Sequence, residues 1–418
     1  MKDDNMKKNK LLDEADRCLL CKNPRCKENC PIKTPIPEVI SLYKEGKIKE
    51  AGEILFKNNP LSVICSLVCI HEKQCNGNCI RGIKGTSIDF YKIEEEISMR
   101  YLNEVKFENL PKTKSRIAII GGGPAGITIA FILAQRGYNV TIFDAHEKIG
   151  GVLRYGIPEY RLENSIIDKF EDKLIEIGVK IRPNTLIGPV ITLDRLFEDG
   201  YKALFIGTGV WNPKPLNIKG ETLGNVHYAI DYLRAPNVYR LGKKVLVIGA
   251  GNVAMDAARS AKRNGAEKVT IVYRKDFENM TASKKEIEEA KEDGIEFELF
   301  KSPIEIKENG LRVACTEKCI SSEGKTTSKV IEGKEEFIEC DSVIIAVSQV
   351  PKTNIVSNTK DLNTNKWGLV ITDDKGNTTK KGTFASGDVV TGAKTVVEAV
   401  VQAKIVADTI DQYCTNEN

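Results

Sequence analysis

The sequence has too little net charge to indicate a nucleic-acid-binding protein and too few histidines to indicate a histidine-based metal or catalytic site. Its 418 residues contain 62 Lys plus Arg against 58 Asp plus Glu, which leaves a formal net charge of +4. No basic stretch interleaved with aromatic residues stands out, so we do not expect nucleic acid as a partner. Histidine occurs only as His71, His146 and His227, without the spacing of metal ligands or of a Ser-His-Asp set. We expect these three to have packing or surface roles.

Long hydrophobic runs are also scarce. No apolar run follows the charged segment MKDDNMKKNK, so we expect no secretory signal and a cytoplasmic location. Residues 117–135 (IAIIGGGPAGITIAFILAQ) carry no charge and approach the length of a membrane span. Their centre is GGGPAG, which favours a strand, a glycine turn and a buried helix. The sequence therefore predicts no association with a membrane.

Cysteine, in contrast, is plentiful. Eight of the 12 cysteines precede residue 80. In a reducing compartment such clustering indicates metal or redox chemistry rather than disulfides. The eight form two groups, Cys18-x2-Cys21-x4-Cys26-x3-Cys30-Pro31 and Cys65-x3-Cys69-x5-Cys75-x3-Cys79. The other four, which we expect to be bystanders, are Cys315, Cys319, Cys340 and Cys414.

The spacing of the eight thiols favours iron-sulfur clusters. Soft thiolates select either iron-sulfur clusters or zinc. A four-cysteine run that ends in Cys-Pro is typical of ferredoxins, in which the last cysteine ligates the other cluster of a pair. Eight thiols match the ligand positions of two [4Fe-4S] clusters, and two structural zinc sites remain the alternative.

The rest of the chain has the pattern of an α/β protein. At ~150 residues per domain the length predicts about three domains. Short helices are predicted before residue 114, and a polar linker at 110–115 precedes alternating strands and helices, which are typical of a parallel sheet. Residues 116–145 and 244–275 each read as strand, glycine turn, helix and strand, which predicts two dinucleotide sites. Further strands are predicted as a hairpin meander and two later segments, at 311–338, 342–347 and 383–385.

The first glycine turn has the pattern G-x-G-x-x-G. Its first glycine permits the tight turn, its second lets the backbone approach a diphosphate, and its third allows helix and strand to pack closely. The diphosphate would lie at the helix N-terminus. Asp144 ends the next strand, where an acid accepts hydrogen bonds from an adenosine ribose. The candidate contacts in the turn are Gly121, Gly123, Pro124, Ala125 and Gly126.

The second turn has the alanine variant of this pattern. Its second strand ends in Arg274 and Lys275, where the first copy has Asp144. Arginine can hold a 2′-phosphate bidentately and lysine adds positive charge, so the sequence predicts NADPH in preference to NADH. The neighbouring Asp276 counts against this prediction, and a solvated basic strand end is the alternative. The candidate contacts are Gly249, Gly251, Asn252, Val253, Ala254, Arg274 and Lys275.

In combination and in order, these motifs resemble the glutamate synthase small-subunit family. That family includes the small chain of NADPH glutamate synthase, the large subunit of NADH-dependent ferredoxin:NADP oxidoreductase, sulfide dehydrogenase alpha subunits, and the N-terminal half or small subunit of dihydropyrimidine dehydrogenases. The resemblance covers nearly the whole chain. It rests on the cysteine groups and on AIIGGGPAG, GGVLRYGIPEYRL (150–162), FIGTG (205–209), VIGAGNVAMDAAR (247–259), AVSQVP (346–351) and FASGDVVTGAKTVVEAV (384–400).

The resemblance implies an α/β fold with two Rossmann-like dinucleotide-binding domains, one inserted in the other, preceded by an α-helical iron-sulfur domain. It implies two [4Fe-4S] clusters in 1–114, an FAD domain in 115–240 and 341–418, and an NAD(P)H domain in 241–340. The first turn and Asp144 would hold the ADP part of FAD. The remaining implied FAD contacts are Gly150, Gly151 and Leu153 along the flavin, Thr208 and Gly209, Gly387 and Asp388 at the ribityl and phosphate region, and Thr395 and Val396 at a helix start facing the flavin pyrimidine carbonyl.

Dihydropyrimidine dehydrogenase, within this family, implies a pairing of the cluster ligands. One cluster would take Cys18, Cys21, Cys26 and Cys79. The other would take Cys30, Cys69, Cys75 and a non-cysteine ligand, which falls on Glu94. Cys65 would then be spare. Glu94 as a solvated helix residue, with Glu95 or Cys65 as the true ligand, stays open.

The resemblance also implies an enzyme that depends on a second subunit. Hydride transfer between NADPH and FAD would be followed by single-electron transfer through the clusters to that partner. A role like that of the glutamate synthase small chain is the first expectation, and the other roles within the family are alternatives. The nucleotide region lacks Cys-x-x-Cys, so a dithiol reductase is not expected. A non-enzymatic redox or iron sensor is the alternative from another class, and dye reduction by NADPH would distinguish the two.

Overall fold

The computed structural model describes residues 10–109, 111–320 and 326–416. Leu110 of the predicted linker and residues 321–325 of the predicted meander lie outside the described residues. The chain divides into two compact units. The first unit runs to Leu153 and continues as Glu159–Val210 and from Pro351 onward, and the second comprises Arg154–Pro158 and Trp211–Val350.

The first unit begins with short helices around the cysteine-rich loops. Pro37 in the first turn of the third helix has a φ angle already suited to a helix start. Apolar residues at spacings of three and four, such as Phe90, Ile93 and Ile97, bury one face of each longer helix. The helices are α1 (residues 10–16), α2 (Arg25–Glu28), α3 (Ile36–Lys44), α4 (Ile48–Asn58), α5 (Ser62–Val68) and α6 (Phe90–Glu104), with 3-10 turns at His71–Lys73 and Ile80–Ile83.

Strands and helices then alternate in the remainder of the first unit and through the second unit. Before the second unit lie β1 (Arg116–Ile120), α7 (Pro124–Gln135), β2 (Asn139–Phe143), α8 (Val152–Tyr155), α9 (Asn164–Glu176), β3 (Lys180–Arg182), α10 (Leu193–Glu198) and β4 (Tyr201–Ile206). The second unit contains β5 (Asn212–Pro213), β6 (Val226–Tyr228), α11 (Ala229–Arg234), β7 (Lys244–Ile248), α12 (Asn252–Arg263), β8 (Lys268–Tyr273), α13 (Lys284–Glu292), β9 (Glu296–Leu299), β10 (Lys301–Lys307), β11 (Gly310–Ile320), β12 (Thr326–Glu339), β13 (Ser342–Ile345) and β14 (Gln349–Val350). The first unit ends with β15 (Thr383–Ala385), α14 (Asp388–Thr391) and α15 (Val396–Asn416).

Each unit contains a five-stranded parallel sheet. The first has the order β15-β4-β1-β2-β3 and the second the order β6-β13-β7-β8-β9. In both sheets the strand that precedes the glycine turn, β1 or β7, lies in the middle. The second strand of the same repeated segment, β2 or β8, lies beside it. Both sheets bury near-continuous apolar strands such as 117–120 and 245–248, as parallel sheets do. The predicted fold class is confirmed: two Rossmann-like domains, one inserted in the sequence of the other, follow a helical segment.

The second sheet extends beyond the predicted range of 241–340. β6 precedes that range and β13 follows it, and β13 pairs with both β6 and β7. The two-residue strands β5 and β14 also pair with each other. Strands this short carry no readable periodicity, so the sequence alone could not assign them to a sheet. The predicted meander forms the antiparallel sheet β10-β11-β12 within the described residues.

Residues 117–135, which carry no charge, form β1 and the buried helix α7, as predicted. Within the part of the chain that the structure describes, no helix combines the length and the apolar character needed to cross a membrane.

Candidate nucleotide and cluster sites

The first glycine turn joins β1 to α7. Gly121 has φ +103°, and a Cβ added there would lie 2.5 Å from the carbonyl oxygen of Gly207. A Cβ on Gly126 would collide with the carbonyl oxygen of Gly121. Glycine is therefore required at both positions. The 12-residue helix α7 begins at Pro124 with no side-chain cap among the described residues, so its first N–H groups suit a diphosphate.

Asp144 lies beside this turn, directly after β2. Its carboxylate is buried, and Oδ2 accepts a hydrogen bond from the Gly122 N–H at 2.7 Å. Oδ1 accepts from the His146 N–H at 2.8 Å. His146 Nδ1 also lies 3.0 Å from Oδ1, so Oδ1 already has two partners. Oδ2 can accept a second hydrogen bond, so Asp144 can anchor the turn and still accept from a hydroxyl group. Sequence reasoning missed the contact with Gly122, although this glycine in the middle of GGG, outside the G-x-G-x-x-G pattern, was a signal for it.

The loop that begins at Gly150 packs against the same turn. The Gly150 N–H donates to the Gly122 carbonyl oxygen at 2.7 Å. Gly151 has φ +55°, and a Cβ there would lie 2.9 Å from the Cα of Gly123. Leu153 is completely buried. The structure thus brings Gly150 and Gly151 to the first turn.

Two further loops meet the turn from the ends of β4 and β15. Gly207, in FIGTG, donates its N–H to the Ile120 carbonyl oxygen at 2.8 Å and packs its own carbonyl on Gly121. The predicted contacts Thr208 and Gly209 follow it and are partly buried, with Gly209 at φ +67°. Sequence reasoning did not select Gly207, although a glycine directly after a buried strand is the same signal that identified Gly121.

The loop after β15 contains Gly387 and Asp388. A Cβ on Gly387 would lie 3.5 Å from that of Ala125, in the first turn of α7. Burial raises the pKa of Asp388 to about 6, although the Lys394 N–H donates to its carboxylate. The Ser386 hydroxyl next to them is buried and has no hydrogen-bond partner among the described residues. A buried polar atom of this kind can be satisfied by a bound polar molecule.

The predicted helix start at Thr395 and Val396 is a capping box. The Thr395 N–H and hydroxyl both donate to Glu398 Oε2, at 3.0 and 2.6 Å, and the Glu398 N–H donates back to the Thr395 hydroxyl at 3.4 Å. Burial favours the protonated form of Glu398, but the hydrogen bonds from Thr395 hold its pKa below the usual value. The Glu398 carboxylate thus accepts the Thr395 N–H at the start of α15, and the flavin contact at Thr395 and Val396 stays a prediction.

The second glycine turn joins β7 to α12. Gly249 has φ +139°, and a Cβ there would collide with the Ala346 carbonyl oxygen. Asn252, at the start of α12, accepts the Ser283 N–H at 3.0 Å through Oδ1. Ala254 is fully buried and Val253 packs against the core of this unit. Gly251 caps the helix, and no described side chain caps it, as in the first turn.

Arg274 and Lys275 follow β8, and they differ in what they contact. Lys275 donates to the Thr326 carbonyl oxygen at 2.9 Å. The Arg274 side chain is exposed, and none of the hydrogen bonds or ion pairs of the described residues uses its guanidinium group. Asp276, which counted against a phosphate site, is paired with Lys318 at 3.0 Å. Of the two basic residues, Arg274 is the one available to a ligand.

Four cysteines come together from both sequence groups. Burial raises the pKa of Cys18, and the thiols of Cys21 and Cys79 raise it further. Burial also raises the pKa of Cys26 to about 11, with Cys79, Cys18 and Cys21 acting in the same direction. These four thiols lie close enough that a negative charge on one disfavours the ionisation of the others. A positively charged metal centre would favour the thiolate forms.

A second set lies around Glu94. Burial raises the pKa of Cys75, followed by the charges of Glu94 and Cys30. The pKa of Cys69 is raised by its hydrogen bond with Cys65, by burial and by Glu94. Glu94 is only 7% exposed, and burial, followed by the charge of Cys65, raises its pKa well above the usual value. Glu94 is therefore no solvated helix residue, and both Glu94 and Cys65 act on the Cys69 thiol.

The other candidate ligands are less enclosed or have other roles. Glu95 is partly exposed. His71 is buried and stacks on Tyr91 with ring centroids 4.4 Å apart, which is the predicted packing role. Within the described residues, no three His, Cys, Asp or Glu side chains are close enough together to hold a single metal ion.

The sequence matches two protein families. Residues 2–106 match dihydropyrimidine dehydrogenase domain II with its 4Fe-4S cluster, and residues 80–196 and 115–403 match pyridine nucleotide-disulphide oxidoreductases.

Individual relatives and solved structures agree with these matches. The NADPH glutamate synthase small chain of Escherichia coli strain K12 is 32% identical over a gapped alignment of 430 positions, which covers 95% of this chain and 90% of that protein. The NADP+-dependent formate dehydrogenase beta subunit of Moorella thermoacetica is 32% identical over a gapped alignment of 434 positions, which covers 93% of this chain and 59% of that protein. FprA of Mycobacterium tuberculosis in complex with NADPH superposes with a TM-score of 0.62 at 19% identity, over 73% of this chain and 85% of that chain, and this likeness shows the fold.

Proposed function

Because the chain belongs to the glutamate synthase small-chain family, we propose that it takes electrons from NADPH and delivers them to a partner subunit. It is an NAD(P)H-dependent FAD oxidoreductase with a 4Fe-4S domain. The proposal adds NADPH as the preferred donor, two [4Fe-4S] clusters and a glutamate synthase type of partner.

The first unit is proposed to bind FAD. The diphosphate would lie on the Gly121–Gly126 turn, the ribose would bond to Asp144, and Gly387 and Asp388 would contact the ribityl and phosphate region. The close approach of backbone at Gly121 and Gly126, together with the unpartnered Ser386 hydroxyl, supports this assignment. Bound FAD supplies the exchange between hydride transfer and single-electron transfer, and the protein's residues bind and orient it.

The second unit is proposed to bind NADPH on the turn at Gly249 and Gly251. Arg274 would hold the 2′-phosphate, since its guanidinium group is exposed and free of partners among the described residues. Lys275 would contribute charge while it holds the backbone at Thr326.

The helices of the first unit are proposed to hold two clusters. Cys18, Cys21, Cys26 and Cys79 would ligate one, because their thiols affect one another's pKa. The other would be ligated by Cys30, Cys69, Cys75 and Glu94. The burial of Glu94 among these thiols supports its role, and Cys65 is the alternative.

The two cysteine sets are the observation on which this proposal mainly rests. A nucleotide-dependent reductase that passes no electrons to a partner would need neither set. We propose that the protein works in the cytoplasm, since a reducing compartment preserves thiolate ligands. The test is NADPH-dependent reduction of an artificial dye by the anaerobically purified chain. Steady turnover is expected, whereas tight nucleotide binding without turnover would indicate a sensor instead of an enzyme.

A second candidate partner is an oxidoreductase of another kind. The formate dehydrogenase beta subunit and the glutamate synthase small chain are each 32% identical to this chain, which covers 59% of the former and 90% of the latter. An anaerobic pull-down from the native cell extract separates the candidates. A large glutamine-binding chain would support the first, and a formate-oxidising chain the second.

A further inference from the structure

A groove on the first unit is lined by apolar and basic side chains. It encloses about 560 Å³, and its lining includes Leu19, Ile80 and Ile83, which are 58%, 44% and 63% exposed. Arg81 and Lys84 line it as well, and both are exposed. Large apolar side chains grouped at a surface, with charges around them, are typical of a protein interaction site.

The groove is built from the loops that carry the first cysteine set. Leu19 follows Cys18 directly, and Ile80 follows Cys79. Arg17 ties the two loops together, since its guanidinium group donates to the Thr86 carbonyl oxygen at 2.6 Å and pairs with Glu14 at 2.5 Å. Whatever binds in this groove therefore lies next to the four thiols.

The backbone beside the groove is held in an unfavourable conformation. Leu20, between Cys18 and Cys21, has φ +45° and is 41% exposed. A left-handed conformation is unfavourable for a residue other than glycine. The loop thus bears both strain and an exposed apolar side chain at one position, a combination that points to function.

We infer that this groove docks the redox partner, and that the partner presents apolar side chains within a rim of carboxylates. Burial of Leu19, Ile80 and Ile83 would supply affinity, and carboxylates facing Arg81 and Lys84 would orient the partner. Docking here brings the partner's redox centre to the first cysteine set. This inference rests on the proposed function and adds to it the place and the chemistry of electron exit.

The test uses a strongly acidic ferredoxin as the probe. Two reduced ferredoxins each give up one electron, and NADP+ with one proton takes up both to form NADPH. The rate of NADPH formation is measured for the wild-type holoprotein, for Ile83→Glu, for Arg81→Glu/Lys84→Glu, and for Val190→Glu. Val190 is 86% exposed and lies elsewhere on the same unit, so it is the matched control. NADPH-dependent reduction of a small dye is measured in parallel.

We expect wild-type kcat/KM for ferredoxin to fall as ionic strength rises, because exposed charges are screened. Both groove variants are expected to lose at least tenfold in kcat/KM for ferredoxin while keeping dye reduction, and Val190→Glu is expected to change neither. Groove variants that match the wild type, or a wild type that reduces dye but accepts no electrons from ferredoxin, would overturn the inference. Loss of dye reduction in the wild type would instead refute the proposed function.

Discussion

Alanine substitutions at two glycines of the first turn are expected to have different effects, one on stability and the other on FAD binding. Gly121 has φ +103° and no room for a Cβ, whereas Gly123 has φ −80° and a Cβ there would meet no atom closer than 3.9 Å. Gly121→Ala should therefore lower the Tm, since the left-handed backbone alone costs about 1 kcal/mol. Gly123→Ala should keep the Tm of the FAD-free protein but lower its FAD content, because the methyl group would stand where the backbone approaches the diphosphate.

The measurements are the Tm and the ratio of flavin to protein absorbance. Gly224→Ala is the control, since a Cβ at Gly224 has open space around it. A Gly123→Ala protein with full FAD content would show that the diphosphate does not lie on this turn.

Arg274 is expected to determine the choice between NADPH and NADH. Loss of a charge-assisted hydrogen bond costs roughly 1.5–3 kcal/mol, so Arg274→Ala should raise the KM for NADPH about 10-fold to 100-fold and leave that for NADH unchanged. Lys275→Ala should have the smaller effect, because its Nζ already holds the Thr326 carbonyl oxygen at 2.9 Å. Steady-state kinetics with both nucleotides test this prediction. An unchanged KM for NADPH in Arg274→Ala would contradict the assignment of Arg274 to the 2′-phosphate.

The eighth cluster ligand can be identified from the iron content. Glu94→Gln should lower the iron per chain from about eight atoms to about four, while Cys65→Ala should keep about eight. Cys414→Ala, which alters a buried thiol outside the two cysteine groups, is the control. The opposite pattern, with iron lost from Cys65→Ala and kept in Glu94→Gln, would transfer the ligand role to Cys65.

At the scale of the element, the start of α15 depends on its capping box. Thr395→Ala removes the two hydrogen bonds that the Thr395 hydroxyl makes with Glu398, while the bond from the Thr395 N–H remains, and should lower the free energy of unfolding by ~1 kcal/mol. Thr415→Ala is the control, because this exposed hydroxyl in the last turn of the same helix bonds to the Asp411 carbonyl oxygen and to Tyr138 but caps no helix start. Denaturant titration of the two variants tests the expectation, and equal stability would show that the cap contributes little.

Local structure could be predicted from the sequence where only one residue type fits the backbone conformation. Gly121, Gly126 and Gly249 were found because a positive φ or a close backbone approach leaves only glycine. Thr395-x-x-Glu398 has the sequence pattern of a capping box and was equally predictable. The burial of Glu94 was also encoded, because α6 places it four residues after Phe90 and three before Ile97, on the apolar face.

At the scale of the whole molecule, the duplicated strand-turn-helix-strand segment explains why β1 and β2 lie in their sheet as β7 and β8 do in theirs. The edge strands differ, because β15 is the last strand of its sheet in sequence and β6 is the first of its own. Long-range pairings were beyond the sequence. β13 pairs with β6 across more than a hundred residues, and β14 with β5 through two residues each. Likewise, only resemblance to a family joined Cys79 to the first cysteine group. Spacing within a group cannot show which loops meet in space.

The account as a whole claims that NADPH reduces a flavin in a protein that also carries iron-sulfur clusters. The most direct measurement is the visible absorption spectrum of the anaerobically purified chain before and after addition of NADPH. We predict flavin bands above a broad iron-sulfur absorption, and bleaching of the flavin bands when NADPH is added. A spectrum without iron-sulfur absorption, or flavin bands that NADPH leaves unchanged, would contradict the account.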